Sequence, residues 1–83
     1  MDQYIQMKSG EKCGFEFFYV DGNDLHLVLS MTLVEAADLV SKADLSEIRC
    51  VRSGDTVRTV TGYTTVVMLH PQENGTRVGL RRA

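Results

Sequence analysis

Two cysteines and two histidines are the first candidates for chemistry in this chain: Cys13, Cys50, His26 and His70. A cysteine nucleophile needs a histidine within hydrogen-bond reach and a third group that orients this base. No motif surrounds any of the four residues, and the cysteines are too far apart for a CxxC pair. Their spacing does not match that of zinc ligands either. We therefore predict no catalytic residue, no metal site and no enzyme activity.

The glycines do not form a phosphate-binding loop. Neither GxxxxGKS/T nor GxGxxG occurs, and Gly10, Gly14 and Gly22 stand singly in turns. We therefore predict no nucleotide cofactor, and we predict no other cofactor either.

The arginines form the most informative charge pattern in the sequence. All six lie in residues 48–83, which carry a net charge of +4, whereas residues 1–47 carry a net charge of −6. Guanidinium groups bind carboxylates and phosphates through two parallel hydrogen bonds and stack well at interfaces. On the last predicted strand, Arg77 and Arg81 share the face opposite Val78 and Leu80. The predicted partner-binding residues are Arg77, Arg81, Arg49, Arg58 and Arg82.

Simpler explanations of the arginine pattern remain open. Charged side chains on an edge strand often serve only to discourage edge-to-edge aggregation. The arginines could equally pair with the acidic first half inside the domain. A nucleic-acid partner is a further alternative, but a sequence pI of about 5.5 and a net charge of −2 oppose binding of a polyanion. The strand aromatics also lie in the acidic half, away from the arginines in sequence.

Alternating apolar residues separated by turn residues predict about six or seven short strands. The clearest feature is a hairpin, in which a turn at residues 21–24 joins strand 15–20 to strand 25–31. Strand 63–69 is the most apolar and is predicted to be central. The other predicted strands cover residues 4–8, 47–52, 56–61 and 76–82, with a turn at residues 53–55.

A capping box predicts the start of the only helix. Thr32 and Glu35 have the spacing at which the hydroxyl accepts from the Glu35 backbone and the carboxylate reaches back to the Thr32 backbone. The predicted helix runs from residue 33 to about residue 43. Its apolar face is formed by Leu33, Ala36, Ala37 and Val40, which recur at helical spacing.

This order of elements predicts one α+β domain that covers residues 1–83. An antiparallel β-meander sheet, in the order β-β-β-α-β-β-β-β, packs against the helix on one face. One helix cannot cover a sheet of this width, so the sheet either curls around the helix or leaves a face for another chain. The predicted core contains Phe17 or Phe18, Leu27, Leu29, Val40, Val67 and Leu69.

Composition and patterning limit where the protein works. The chain is 43% hydrophobic and 24% charged, which is typical of globular proteins and not of disordered ones. Its apolar stretches are far shorter than the roughly 20 residues of a membrane-spanning helix, and its first residues lack a signal-peptide pattern. We expect a cytoplasmic protein with no membrane partner. Cys13 and Cys50 would then be free thiols, although an oxidising environment would allow one disulfide.

These expectations favour a stand-alone, non-enzymatic protein that binds and modulates or inhibits a macromolecular partner. Phages and mobile elements use small proteins of this profile against host defences such as CRISPR or restriction systems, but no motif identifies such a family. A protein partner is the first hypothesis. The alternatives are a nucleic-acid-binding accessory protein that uses the C-terminal arginine cluster, and a homo-oligomeric structural component such as a homodimer.

Overall fold

The computed structural model describes residues 3–52 and 56–82 of the chain. The predicted turn at residues 53–55 lies outside the described residues. Within them one helix has four strands before it and four after it. The elements are β1 (Tyr4–Met7), β2 (Lys12–Gly14), β3 (Phe17–Asp21), β4 (Asp24–Leu29), α1 (Leu33–Lys42), β5 (Ala43–Arg52), β6 (Thr56–Thr61), β7 (Thr65–Gln72) and β8 (Gly75–Arg81).

The strands form two antiparallel four-stranded sheets. The first sheet has the order β2-β1-β5-β6, and the second has the order β3-β4-β8-β7. The predicted α+β class, with antiparallel strands and one helix, is confirmed. The single meander is corrected, because each sheet takes two strands from each side of the helix. Sequence alternation shows which residues of a strand share a face, but not which strands lie side by side.

The two sheets share one hydrophobic core. In the second sheet, Leu25 lies opposite Leu80 and Leu27 lies opposite Val78, and all four side chains are fully buried. The first sheet therefore covers the surface that one helix could not. Its own buried contributions to this core are Ile5, Ala43, Ile48 and Cys50.

The hairpin between β3 and β4 forms as predicted. Asp21 pairs with Asp24 across the turn, and Gly22 adopts a φ of 62°. This left-handed conformation favours glycine, because a side chain there would be strained. The hairpin fixes the register of β3 on β4, which decides which aromatic residues of β3 face outward.

Helix α1 begins at the predicted capping box. The Glu35 backbone N–H donates to the Thr32 hydroxyl at 3.2 Å, and the Thr32 N–H donates to the Glu35 carboxylate at 3.1 Å. The hydrogen bonds with Thr32 hold the pKa of the Glu35 carboxyl below its ordinary value. Within residues 3–52 and 56–82, no helix has the length and apolar character that crossing a membrane requires.

The buried face of α1 differs from the predicted one. Ala36 and Leu39 are buried against the sheets, whereas Leu33 is 39% exposed and Ala37 is exposed. Residues 33–43 contain two overlapping apolar stripes at helical spacing. Only the packing against the sheets selects between them, so sequence periodicity alone could not.

Strand β7 lies at the edge of the second sheet, and its predicted central position is corrected. Pro71 fits an edge strand, since proline cannot donate a backbone hydrogen bond to a second neighbour. The register shifts between Val66 and Met68, so Val67 falls at the irregularity and is 39% exposed.

The predicted core is correct in part. Leu27 and Leu29 are fully buried, and Phe18, Val40 and Leu69 pack against the core as partly buried residues. Val67 does not belong to the core because of its position at the strand irregularity. Phe17 points to the opposite side of the sheet from Phe18, because successive side chains of a strand alternate between faces.

Candidate functional site

The outer face of the second sheet is the side turned away from the core. Side chains alternate along each strand, so residues between the buried leucines and valines of this sheet point outward. Strand pairing arranges them in three rows. These rows, which we call the outer face, are Phe17-Val28-Arg77-His70, Tyr19-His26-Gly79-Met68 and Asp21-Asp24-Arg81-Thr65.

Two aromatic rings of the edge strand β3 and a histidine of β4 lie together on the outer face. The Tyr19 ring stacks on the His26 ring with 4.7 Å between centroids and 13° between planes. The Phe17 ring lies 5.9 Å from the Tyr19 ring. His26 is only 8% exposed, whereas Phe17 is 55% exposed. The face therefore presents one large apolar ring beside a covered histidine.

Gly79 leaves room for this arrangement. A Cβ atom at position 79 would lie 3.3 Å from the Met68 Cβ and 3.5 Å from two atoms of the His26 ring. The first distance is tighter than ordinary contact, so any larger residue would displace the neighbouring side chains. The glycine at the centre of β8 thus allows His26 and Met68 to pack over the sheet.

Arg77 connects the aromatic residues to the rest of the outer face. One of its terminal nitrogens donates to the Tyr19 hydroxyl at 3.0 Å, and the other lies 3.8 Å from the Met68 sulfur. Its Nε atom and the Nδ1 atom of His26 are buried, and neither has a hydrogen-bond partner among the described residues. Native proteins satisfy most buried polar atoms. Two polar side chains in the middle of this face therefore have bonding capacity that the fold leaves unused.

Arg81 makes a two-bond ion pair at one end of the outer face. Its Nε and one terminal nitrogen donate to the two carboxylate oxygens of Asp24 at 2.8 and 3.1 Å. The hydrogen bond from Arg81, with attraction to Arg81 and His26 as further causes, holds the pKa of the Asp24 carboxyl below its ordinary value. Two of the five N–H donors of this predicted partner-binding residue are therefore used inside the chain.

The other predicted arginines do not join this face. Arg49 lies on β5 in the first sheet, where its guanidinium is 5.8 Å from the centre of the Tyr4 ring. Arg58 lies on β6 opposite Cys50, and its side chain is outside the described part of the structure. Arg82 follows β8, with its guanidinium over the Tyr63 ring.

The predicted neighbourhood of Arg49 and Arg77 is therefore corrected. The strands beside β8 are β4 and β7, both in the second sheet, whereas Arg49 lies in the first sheet. Arg77 and Arg81 share one face, as the alternation along the last strand predicted.

The cysteines and histidines lie in different layers. Cys50 is buried in the core, and His26 lies on the outer face. Burial raises the pKa of the half-buried Cys13 thiol, which makes it less reactive at neutral pH. Neither cysteine forms a disulfide within the described residues. In the described ranges, no three side chains of His, Cys, Asp or Glu are grouped closely enough to hold a metal ion.

Sequence reasoning missed the aromatic part of the site. Phe17 and Tyr19 belong to the acidic half and stand far from Arg77 in sequence. The pairing of β4 with β8 closes this gap and brings Tyr19 within 3.0 Å of Arg77. The available signal was the alternation within β3, which places Phe17 and Tyr19 on one face.

No protein-family model, no curated protein and no solved structure matches this chain.

Proposed function

We propose that this chain is a non-enzymatic binding protein that attaches to another protein through the outer face of its second sheet. The observation that carries the proposal is the exposed Phe17 ring beside the Tyr19–His26 stack and the partly buried Arg77. Aromatic residues, methionine and arginine are enriched in protein interfaces, and lysine is depleted. The outer face contains all of the enriched types except tryptophan, and it contains no lysine.

The layout of the outer face resembles that of a binding surface. Residues that dominate binding energy cluster near the centre of an interface, where partner contacts exclude water. Here the aromatic residues and Arg77 occupy the first two rows, and the charged Asp24–Arg81 pair occupies the third row. The unused polar atoms of Arg77 and His26 lie on the two inner strands, β8 and β4, next to the aromatic residues of β3. A partner that seats on Phe17 would reach them after small side-chain movements.

Charge favours a protein over a nucleic acid as this partner. The outer face carries Arg77 and Arg81 against Asp21 and Asp24, so its formal charge is balanced when its histidines are neutral. Nucleic-acid surfaces attract polyanions by excess positive charge, and the whole chain has a net charge of −2.

Nucleic-acid binding stays the second candidate because of one specific feature. Four-stranded sheets can stack unpaired bases on outward aromatic rings. Phe17 and Tyr19 offer such rings, with Arg77 between them and the exposed His70. The two candidates differ sharply in the expected dependence of binding on salt.

In a homo-oligomer, fewer strands could pair between two copies than the sequence alone allows. Strand β8 is paired on one side with β4 and on the other with β7, so it cannot extend the sheet across a two-fold axis. Self-association would have to use the outer face or an edge strand.

A protein without catalytic groups acts by occupying its partner's surface, as inhibitors of host defence systems and adaptors both do.

The test compares capture of a partner by three forms of the protein. The form Phe17→Ala, Arg77→Ala removes the exposed ring and the central guanidinium. The control form Val34→Ala, Lys8→Ala removes one exposed apolar side chain and one exposed cationic side chain that are not on the outer face. Each form is immobilised and exposed to extract of the cells that produce the protein, both before and after nuclease treatment of the extract. Melting temperatures verify that all three forms are folded.

The proposal predicts a protein that wild type and control retain, and that the outer-face form binds at least about tenfold more weakly. Loss of the captured material on nuclease treatment, with binding that falls steeply as salt rises, would instead support nucleic acid. Equal retention of a protein by all three forms would show that the outer face is not the interface.

A further inference from the structure

A cavity of about 180 Å³ opens between the two sheets, on the inner side of β3. The second sheet contributes Phe18, Val20 and Leu25 to its lining, and the first sheet contributes Cys50 and Val60. These residues form the apolar part of the cavity lining. They are distinct from the residues of the outer face, because alternate side chains of β3 point to opposite sides of the sheet.

The remaining part of the lining is polar. Tyr63 is buried, and the Arg82 guanidinium lies 4.9 Å from the centre of its ring. The Arg82 stem also passes 3.6 Å from the position that a Cβ of Gly62 would occupy. The Tyr63 ring thus places this guanidinium beside the cavity, and Gly62 leaves room for the Arg82 stem. No carboxylate of the described residues forms an ion pair with Arg82.

We propose that this cavity binds a small apolar monocarboxylate, with the hydrocarbon part inside and the carboxylate on Arg82. Size supports the first part, because an apolar cavity of about 150 Å³ is known to hold a benzene molecule. Charge supports the second part, because a guanidinium binds a carboxylate through two parallel charge-assisted hydrogen bonds. A six-membered ring that carries one carboxylate, as in benzoate, satisfies both conditions. The inference does not depend on the proposed partner surface.

Benzoate is the probe, and benzamide is its neutral counterpart of the same shape. Binding to the wild-type protein is followed by NMR titration of the methyl signals of Val20, Leu25 and Val60. We expect benzoate to shift these three sets of signals, and benzamide to bind about tenfold more weakly, which corresponds to about 1.4 kcal/mol. This comparison needs no variant and therefore does not depend on whether a variant folds.

Two variants test the role of the guanidinium. Arg82→Gln should weaken benzoate binding about tenfold and leave benzamide binding unchanged. Arg81→Gln, the control on the adjacent residue, should leave both unchanged, because Arg81 pairs with Asp24 and does not line the cavity.

Three results would overturn the inference. The first is the absence of benzoate binding to the wild type. The second is equal binding of benzoate and benzamide. The third is a set of shifted signals that maps to the outer face instead of the cavity. None of them bears on the partner surface, whose test uses different residues and a different measurement.

Discussion

Asp24 and Arg81 stand 57 positions apart and meet on the outer face through two hydrogen bonds. The sequence offered two explanations for the arginines, an interface and pairing with the acidic half. Pairing with the acidic half applies to Arg81. The interface stays a proposal for Arg77, which lies beside Tyr19. A sequence shows that Arg77 and Arg81 share a strand face, but it cannot show which strand supplies the facing carboxylate.

The Asp24–Arg81 pair predicts a component of acid sensitivity. The folded state lowers the pKa of the Asp24 carboxyl from its ordinary value of 3.8. The pair therefore contributes stability that is present when the pH is above the ordinary pKa. This stability is lost as the pH falls through the lowered pKa of the folded state. We expect the Asp24→Asn variant to lose less stability than the wild type as pH falls below about 4. Thermal unfolding midpoints measured across this pH range provide the check.

The partner residue supplies the control for this experiment. Arg81→Gln leaves the carboxyl in place but removes the main cause of its lowered pKa, so it should flatten the acid profile in the same direction. The double variant Asp24→Asn, Arg81→Gln should flatten the acid profile no more than Asp24→Asn alone. A wild-type acid profile in Arg81→Gln would show that the ion pair does not stabilise the fold. Some acid sensitivity should persist in every form, because the carboxyls of Glu35 and Asp44 also have lowered pKa values.

At the scale of elements, the sequence predicted local features correctly more often than it predicted which elements pack side by side. The hairpin turn and the capping box depend on residues within four positions of one another, and both formed as predicted. The helix face and the position of β7 depend on what packs against them, and both needed correction. Val67 illustrates the limit: it belongs to an apolar run, yet a register shift turns it partly to solvent. Truncating Val67 is therefore expected to leave no cavity, unlike truncating the fully buried Leu29.

The capping box predicts the effect of a single substitution in α1. Thr32→Ala removes the hydroxyl that accepts from the Glu35 backbone, and it should lower the free energy of unfolding by about 1 kcal/mol. Urea denaturation monitored by circular dichroism measures this loss. Val34→Ala is the matched control, since Val34 is 78% exposed and alanine is the better helix former. If Thr32→Ala is as stable as this control, the cap contributes nothing to the fold.

At the scale of the whole molecule, the chain order crosses between the sheets. Strands β1 and β2 join β5 and β6 in the first sheet, while β3 and β4 join β7 and β8 in the second. Neither sheet is formed from a continuous segment, and both contribute to one core. The sequence predicted the class of the fold but not this exchange, because long-range pairing is decided by how the apolar faces fit together. The same exchange brings Tyr19 to Arg77 and so assembles the proposed partner surface.

This topology predicts that the two sheets unfold as one unit. Each sheet needs strands from both sides of α1, and each supplies one wall of the shared core, so the loss of one wall should expose the other. We expect the NMR amide signals of β5 in the first sheet and β8 in the second to disappear at the same urea midpoint. Ile48→Val, a substitution in the core of the first sheet, should lower stability by about 1 kcal/mol. It should shift both midpoints by the same amount, although β8 belongs to the other sheet. A shift confined to β5 would show that the sheets are separate cooperative units and that the shared core does not couple them.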